Sequence, residues 1–415
     1  MPDIEVHIDF AAGSHRVGTL HLVEGRRGQG VSFEYDIDWR HADFGFSLEP
    51  ALQLGPNRFF PQPDRAIFGS LGDSAPDTWG RSLMQKAERR RARAQDRAPR
   101  TLQETDYLLG VTDVARLGAM RFRWPGNDEF QAPLQAGVPG FIRLGDLLAA
   151  TERTLRDEET DEDLLMIFAP GSSLGGARPK ASVIDQHGAL SIAKFPKETD
   201  SYRIELWESV ALILARNSGI RTPDHQLAHV DGRPIMISRR FDRVGDVRVP
   251  FLSALSMLEL TDGTRSSYPE LVDVLARNGA NAREDAHELY RRMVLNILIS
   301  NVDDHLRNHG FLWSGGRGWT LSPAYDLNPV PTDLKARVLT TAIDGEDGTC
   351  DIDLALDVSA YFNLKPAEAR AIIRAVADAV SLWQDVASRQ GATAKEIERM
   401  SSAFEHQDLQ KGLRF

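Results

Sequence analysis

Two acidic side chains and one amide, spaced along residues 301–326, could together catalyse transfer of a phosphoryl group. Asp303 stands five residues before Asn308, and Asp326 follows 23 positions after the first acid (326 − 303). In phosphoryl transfer one carboxylate accepts the proton of the attacking hydroxyl, while an amide and a second carboxylate hold the magnesium that bridges the nucleotide phosphates. We therefore predict that Asp303 is the catalytic base and that Asn308 and Asp326 are the magnesium ligands.

The spacing of these groups is that of protein kinases, although the residues next to them differ. Kinases carry Asp-x4-Asn in the catalytic loop and a later Asp-Phe-Gly. Here Asn301-Val302 stands in place of the usual His-Arg, and Asp326-Leu-Asn replaces Asp-Phe-Gly. A bare Asp-x4-Asn arises by chance, but the apolar helix predicted over residues 286–300 favours a catalytic loop. The alternative for Asp326 is an acid that forms a turn before Asn328-Pro329. For His305 we favour a role in packing or hydrogen bonding that shapes the loop over a catalytic role.

A lysine on a predicted strand is the candidate for the nucleotide phosphates. Lys194, in Ser-Ile-Ala-Lys-Phe, resembles the Val-Ala-Ile-Lys strand of kinases and would neutralise the α and β phosphates as a point charge. A carboxylate from the following helix would anchor it, and we favour Glu208 over Glu205. Alternation places Lys194 on one face with Leu190 and Ile192, which favours a sheltered site over a surface lysine on an edge strand.

A glycine-containing segment precedes that strand. Residues 172–180 read Ser-Ser-Leu-Gly-Gly-Ala-Arg-Pro-Lys. Backbone amides in a glycine turn can cradle phosphate, so Gly175 and Gly176 are candidate ATP-binding residues. The segment matches neither Gly-x-Gly-x-x-Gly nor the Walker motif, and a flexible loop without a ligand is the alternative.

The elements that must position these residues indicate an α+β protein. Residues 1–125 combine period-two strand patterns with helical stretches, which predicts an extra N-terminal α/β subdomain. Pro and Gly residues within 125–140 mark a boundary. Residues 126–250 would form the strand-rich lobe with the glycine loop and the lysine, and residues 251–415 a mostly helical C-terminal lobe. This order predicts a two-lobed, protein-kinase-like fold.

Composition narrows the class of protein further. The chain has 415 residues, of which 42% are hydrophobic and 26% charged, as is typical of a soluble globular protein. It has no apolar run of about 18 residues, so we expect no membrane partner. One cysteine permits no intrachain disulfide, and with no signal peptide pattern we expect a cytoplasmic protein. A net charge of −11 excludes wrapping of nucleic acid by bulk charge.

Taken together, the motifs resemble the HipA family, the serine/threonine kinase toxins of bacterial toxin–antitoxin pairs. Residues 69–81 resemble the family's N-terminal signature, and residues 173–180 its Gly-rich loop. Residues 240–243 resemble its interlobe segment, while residues 301–308 and 325–329 resemble its catalytic and metal motifs.

The resemblance implies further roles by position. Ser173, beside Ser172, would be the loop serine whose autophosphorylation ejects the loop and switches the kinase off. Lys180 would be the loop lysine, and the segment containing Arg239 and Phe241 would meet adenine through its backbone. The implied ATP-binding residues are Lys194, Ser173, Gly175, Gly176, Lys180, Glu208, Arg239, Phe241, His305, Asn308 and Asp326.

The resemblance also implies partners. They are a HipB-like helix-turn-helix antitoxin, operator DNA reached through the complex, and a protein substrate such as an aminoacyl-tRNA synthetase or another translation factor. ATP and Mg²⁺ would be the cofactors.

Two other functions stay open at the level of the sequence. A small-molecule phosphotransferase of the aminoglycoside type would share the scaffold, but its loop would more typically read His-x-Asp. A DNA-bound corepressor role is suggested by the basic run from Lys86 to Arg97, which includes Arg89 to Arg91 and Arg93. Such a run is usually a solvated helix face, although it can contact phosphates.

Overall fold

The structure is a computed structural model that describes residues 3–10, 13–25, 28–131, 138, 140, 143–168 and 176–415. Its contacts form two compact units. The first unit comprises Met1–Lys197 and Ile237–Leu252, and the second unit comprises Glu198–Met236 and Ser253–Phe415. The predicted division at residues 125 and 250 stays a prediction.

The described elements mix short strands with helices. The strands are β1 (Ile4–Phe10), β2 (Gly13–Gly25), β3 (Gly28–Tyr35), β4 (Arg58–Phe59), β5 (Met120–Arg123), β6 (Lys180–Ile184), β7 (Leu190–Lys194), β8 (His225–Val230), β9 (Arg233–Arg239), β10 (Arg243–Val244), β11 (Val247–Arg248), β12 (Phe251–Ser253), β13 (Gly310–Trp313) and β14 (Trp319–Leu321). The helices are α1 (Ile37–His41), α2 (Gly69–Asp73), α3 (Thr78–Ala94), α4 (Glu104–Gly110), α5 (Leu144–Leu155), α6 (Asp161–Phe168), α7 (Ile204–Asn217), α8 (Ala254–Met257), α9 (Tyr268–Asn278), α10 (Ala282–Leu298), α11 (Ile352–Asp357), α12 (Pro366–Ser381), α13 (Trp383–Arg389), α14 (Ala394–Phe404) and α15 (Gln407–Gly412).

The first unit begins with the small antiparallel sheet that the period-two pattern predicts. Its strand order is β4-β3-β2-β1-β5, and the neighbouring strands run antiparallel. Alternate side chains of β1, among them Ile4 and Val6, are fully buried. Glu5 points to the other face, where it accepts a hydrogen bond of 2.6 Å from the Arg123 guanidinium. The alternation thus separates an apolar face from a face of ion pairs.

The residues Asp185-Gln-His-Gly188 predict a turn between two strands, and the β6–β7 hairpin of the first unit forms around it. Lys180 pairs with Lys194 across the strands, and the register continues to Ile184 and Leu190. Gly188 has a φ of 78°, a left-handed conformation that glycine adopts without steric cost. The sequence prediction of a hairpin around residues 185–188 is therefore confirmed.

A buried charge cluster fixes the segment that follows β9. Arg240 donates to both carboxylate oxygens of Asp242, at 2.6 and 2.5 Å, and its other N–H groups donate to the carbonyls of Ala115 and Arg116. Arg243 donates to the same carboxylate at 2.6 Å, as does the backbone N–H of Gly118 at 2.7 Å. Burial raises the pKa of Asp242, but the two arginines outweigh it and hold the pKa at about 2.

The second unit is mostly helical. The helix α10 is its central element and contacts α9 and α12. Its side chains Leu289, Met293 and Ile297 recur at helical spacing and are fully buried. Trp383 and Phe404 stack 4.5 Å apart, with Trp207 of α7 packed against both.

The β8–β9 turn in the second unit is formed by Asp231 and Gly232, with φ values of 49° and 75°. Positive φ at both central residues is the geometry of a two-residue hairpin turn, which the Asp-Gly pair predicts. No helix among the described residues combines the length and apolar character needed to cross a membrane.

The charge cluster of residues 240–243 makes a testable prediction for stability. Replacing Asp242 by Asn leaves two buried guanidinium groups without their carboxylate, so we expect the free energy of unfolding to fall by about 3–5 kcal/mol. The measurement is urea unfolding, with Asp246→Asn, an exposed acid of the same segment, as the matched control. Equal unfolding midpoints for both variants would show that the cluster does not stabilise the unit.

Candidate functional site

The predicted catalytic loop follows the buried helix α10 in the second unit. The chain leaves the helix through Ser300, whose φ of 53° is left-handed. Asp303 then projects outward, with 56% of its side chain exposed, and the Lys335 ammonium lies 3.7 Å from its Oδ1. A carboxylate in this position is accessible to a hydroxyl group from another protein.

Asn308 lies at the end of a short 3₁₀ turn, Leu306–Asn308, and is 92% buried, because only 8% of it is exposed. Its Nδ2 donates to the backbone carbonyl of Asp303 at 2.9 Å. Its Oδ1 is buried and accepts no hydrogen bond from any described residue. The donor of this amide is therefore used within the loop, while its oxygen has no partner among the described residues.

Asp326 is half-buried and adopts a left-handed φ of 59°. Its Oδ1 accepts from the Nδ2 of Asn328 at 3.2 Å. The backbone N–H of Asn328 donates in turn to the Oδ1 of Asn301 at 3.1 Å. These bonds attach the segment of Asp326 to the beginning of the catalytic loop, so the three predicted groups all lie on two connected segments of one unit.

The second acid of the loop, Asp304, is fully buried and has a structural environment. Burial raises its pKa to about 7, although Tyr268 and the backbone N–H groups of Thr340 and Thr341 donate to its carboxylate. The loop thus contains one exposed acid and one buried acid in sequence, which distinguishes Asp303 as the candidate base.

The loop also contains two histidines, His305 and His309. His305 precedes the 3₁₀ turn, and its Nδ1 is buried without a partner among the described residues. Burial, together with the charge of Arg292, lowers the pKa of His309 to about 3, so this ring is neutral near pH 7. An ATP contact of His305 stays a prediction.

In the first unit, Lys194 ends β7 and is half-buried, while its strand neighbour Ala193 is fully buried. Lys180, which faces it across the hairpin, forms a buried ion pair with Asp77 at 2.7 Å. Trp79 also donates to the Lys180 carbonyl at 3.1 Å. The loop lysine is thus attached to the segment 69–81, a connection that the sequence alone did not reveal.

Of the other residues predicted to contact the nucleotide or to anchor Lys194, the structure describes Gly176, Glu205 and Glu208. Gly176 has a φ of +105° and lies close to the Lys180 ammonium, since a Cβ built on it would be 3.4 Å from Nζ. Glu205 and Glu208 are both buried, one turn apart on α7, and the choice of partner for Lys194 stays a prediction. Ser172, Ser173 and Gly175 lie outside the described residues.

Consecutive side chains of residues 239–241 differ in their exposure to solvent. Arg239 is exposed at the end of β9, and Phe241 is half-buried with its ring 6.2 Å from that of Phe251. Between them Arg240 is buried in the charge cluster described above. The backbone of this segment is therefore fixed, and its contact with adenine stays a prediction.

The basic run on α3 is only partly a solvated face. Lys86 donates to Asp157 and to Glu159, and Arg90 contacts Asp161 at 2.5 Å. The side chains of Arg89, Arg91 and Arg93 are exposed.

The oxygen atoms of the loop suit a hard divalent cation. Magnesium takes oxygen ligands and keeps several waters, so one amide, one carboxylate and phosphate oxygens suffice. Asn308 supplies a buried oxygen that has no hydrogen-bond partner in the described part of the chain, and Asp326 supplies a carboxylate. Among the described residues no three His, Cys, Asp or Glu side chains cluster to hold a metal by themselves, so phosphate oxygens would have to complete the coordination.

Comparisons with known proteins place the chain in a family. The family model for the HipA-like C-terminal domain matches residues 172–383, just over half of the chain. The chain therefore belongs to the HipA family.

Individual relatives extend the comparison. HipA of Shewanella oneidensis MR-1, solved as a complex with HipB and its operator DNA, aligns with a TM-score of 0.69 over 99% of this chain and 97% of that chain. At 17% identity this match shows a shared mixed α/β fold. "Putative kinase Y4dM" of Sinorhizobium fredii is 30% identical over 156 residues, which are 34% of this chain and only 37% of that protein. The kinase CtkA of Helicobacter pylori aligns at a TM-score of 0.43 and 14% identity, over 58% of this chain and 94% of its own.

Asp304 provides a prediction for the pH dependence of stability. Its pKa rises from the ordinary value of 3.8 to about 7 on folding. The folded state thus favours the protonated form, and the stability from this group is full below about pH 4 and is lost as pH rises through about 7. We expect the free energy of unfolding to fall less between about pH 5 and about pH 8 in Asp304→Asn than in the wild type.

The measurement is urea unfolding at the two pH values, with the exposed acid variant Asp378→Asn as the control for charge removal. An identical pH dependence of wild type and Asp304→Asn would contradict the assignment of this carboxyl as the buried acid.

Proposed function

We propose that this chain is the toxin of a HipBA-type toxin–antitoxin pair and acts as a Mg-ATP-dependent serine/threonine protein kinase. The observation that carries the proposal is the orientation of Asn308. Its amide nitrogen is bonded to the backbone carbonyl of Asp303, and its buried oxygen, which has no partner among the described residues, lies in the same loop as the exposed carboxylate of the candidate base. A general base and a cation ligand joined in this way match the requirements of phosphoryl transfer.

In the proposed reaction, Asp303 would accept the proton of the substrate hydroxyl as that oxygen bonds to the γ-phosphorus of ATP. The bond from this phosphorus to the bridging oxygen of the β-phosphate would break, and ADP would leave. The exposure of its side chain allows a serine or threonine of a separate protein to reach it. Its backbone carbonyl holds the Asn308 amide, so the base and the amide oxygen are fixed relative to each other. Such fixed placement supplies much of the rate enhancement in this class of reaction.

Asn308 and Asp326 would hold Mg²⁺, which neutralises charge on the phosphates when bound. Lys194, anchored by Glu208 or Glu205, would bind the α and β phosphates as a point charge. Gly176 and the loop before it would approach the phosphates through backbone amides, and the segment of Arg239 and Phe241 would contact adenine.

The proposed partners follow from the family. A HipB-like helix-turn-helix antitoxin would neutralise the kinase, and the complex would bind operator DNA. The structure of the Shewanella protein with HipB and operator DNA supports this proposal. The protein substrate would be an aminoacyl-tRNA synthetase or another translation factor, whose phosphorylation stops growth.

The direct test replaces the base. Because Asp303 is exposed, Asp303→Asn should leave the fold intact and reduce ATP-dependent phosphorylation by about 10²- to 10⁴-fold. The measurement is transfer of labelled phosphate to cell proteins, with phosphoproteomics to identify the substrate. Asp378→Asn, an exposed acid of α12, is the matched control and should retain wild-type activity. Full activity of the Asp303 variant would refute the assignment.

The proposed off-switch makes a separate prediction. Phosphate adds about two negative charges, which would oppose ATP binding if carried by the Gly-rich loop. We expect Ser173→Ala to lose the autophosphorylated peptide and to retain kinase activity for longer than the wild type after incubation with ATP. Ser172→Ala is the control, and mass spectrometry of the loop peptide is the measurement. Autophosphorylation that disappears only in Ser172→Ala would move the site to that serine.

A corepressor role on DNA is a second candidate, supported by the exposed side chains of Arg89, Arg91 and Arg93. Footprinting of the antitoxin on its operator, with the wild-type chain and with the three arginines replaced by Ala, tests it. An unchanged footprint would exclude DNA contacts by this helix. Kinase activity and this role are compatible.

A further inference from the structure

A continuous series of hydrogen bonds joins Asp326 to the buried acid Asp304. The Nδ2 of Asn328 donates to the Asp326 carboxylate, and its backbone N–H donates to the Oδ1 of Asn301. The Nδ2 of Asn301 donates to the Oδ1 of Asn296 at 3.0 Å. The Nδ2 of Asn296 donates to the Tyr268 hydroxyl at 2.9 Å, and that hydroxyl donates to Asp304 at 2.7 Å.

The interior members of this series are rigid because they are buried. Asn296 and Asn301 are each only 1% exposed. A buried amide that loses a partner costs about 1–3 kcal/mol, so each side chain has one favourable orientation. Asn301 uses its donor toward α10 and its acceptor toward Asn328, and therefore fixes the segment of Asp326 against the end of α10.

The backbone shows the same attachment. The N–H of Val330 donates to the carbonyl of Ser300 at 3.2 Å, and the N–H of Asn301 donates to the carbonyl of Asn296 at 2.9 Å. Ser300 and Asp326 both adopt left-handed φ values, of 53° and 59°. Residues other than glycine stay at such φ values only where the surrounding contacts hold the backbone in place.

We propose that Asn328 and Asn301 are positioning residues that orient the Asp326 carboxylate toward the Asn308 oxygen and thereby set the affinity of this site for a divalent cation. The inference rests on the proposed function, in which Asn308 and Asp326 are the cation ligands. It assigns a role to the third residue of Asp-Leu-Asn and to the asparagine that stands where kinases usually carry histidine.

Asn328 has the better position for a test because it is only half-buried. Asn328→Ala removes the donor to Asp326 and keeps the backbone bond to Asn301. Asn301→Asp keeps the acceptor for Asn328 but places an oxygen against the Oδ1 of Asn296. Asn278→Ala is the matched control, because Asn278 also makes one part-buried amide hydrogen bond of 3.2 Å, to the carbonyl of Val274.

The experiment titrates Mn²⁺, as a paramagnetic divalent probe, into the full chain with the non-hydrolysable ATP analogue AMPPNP and follows free Mn²⁺ by electron paramagnetic resonance. Groups that orient metal ligands typically change metal affinity by about 10- to 100-fold when removed. We expect the Mn²⁺ dissociation constant to rise about tenfold in Asn328→Ala and in Asn301→Asp, and to stay within about twofold in Asn278→Ala. Binding of the nucleotide in EDTA should be unchanged, which a general loss of structure would not allow.

The possible failures are distinguishable. A folded Asn328→Ala with wild-type Mn²⁺ affinity overturns the positioning role, whatever the state of Asn301→Asp. A folded variant that loses nucleotide binding in EDTA also overturns it, because the effect would then not act through the cation. A wild-type chain that binds no Mn²⁺ with AMPPNP overturns the proposed function itself.

Discussion

An unpaired group on a buried amide is costly, and at Asn301 both the donor and the acceptor are used, in bonds that join the two segments that carry the candidate site. One end of the amide is bonded to α10 and the other to the backbone of Asn328. The catalytic loop and the segment of Asp326 therefore share one rigid support. The proposed cation site takes only two ligands from the protein, so it would need such support to hold them in place.

In the first unit, buried ion pairs hold segments in place in a similar way. Asp242 is surrounded by two arginines, and Lys180 is bonded to Asp77 with both side chains buried. Buried ion pairs are weak evidence for net stability, but removing one partner is costly. They fix the interlobe segment and the end of the Gly-rich loop at defined places. The segment 69–81 thus has a physical role, because its Asp77 holds Lys180 in a buried ion pair.

Much of the local structure could be predicted from the sequence because it depends on neighbouring residues. The Asp231-Gly232 turn, the hairpin at residues 185–188 and the apolar stripe of α10 follow from turn chemistry and helical periodicity. The Asp-x4-Asn spacing favours Asp303 over Asp304 as the base, but the sequence does not predict what Asp304 contacts. Asp303 and Asp304 are adjacent, and only the tertiary contacts with Tyr268, Thr340 and Thr341 make one of them structural.

The amide series was missed for the same reason. Asn296, Asn301 and Asn328 are ordinary polar residues in the sequence, and their relation depends on packing across about thirty positions of the chain. The Asp77–Lys180 pair spans an even longer separation, of 103 residues. Asn301 replaces the histidine that kinases usually carry, but this difference in sequence alone does not show what its side chain contacts.

In the proposed function, Asn308 and Asp326 bind the cation of a nucleotide complex. The decisive measurement is a crystal structure of the chain with Mg²⁺ and AMPPNP. We expect a cation about 2.0–2.1 Å from the Asn308 Oδ1 and from an Asp326 carboxylate oxygen, with phosphate oxygens completing its coordination. A nucleotide complex whose cation touches neither side chain would contradict it.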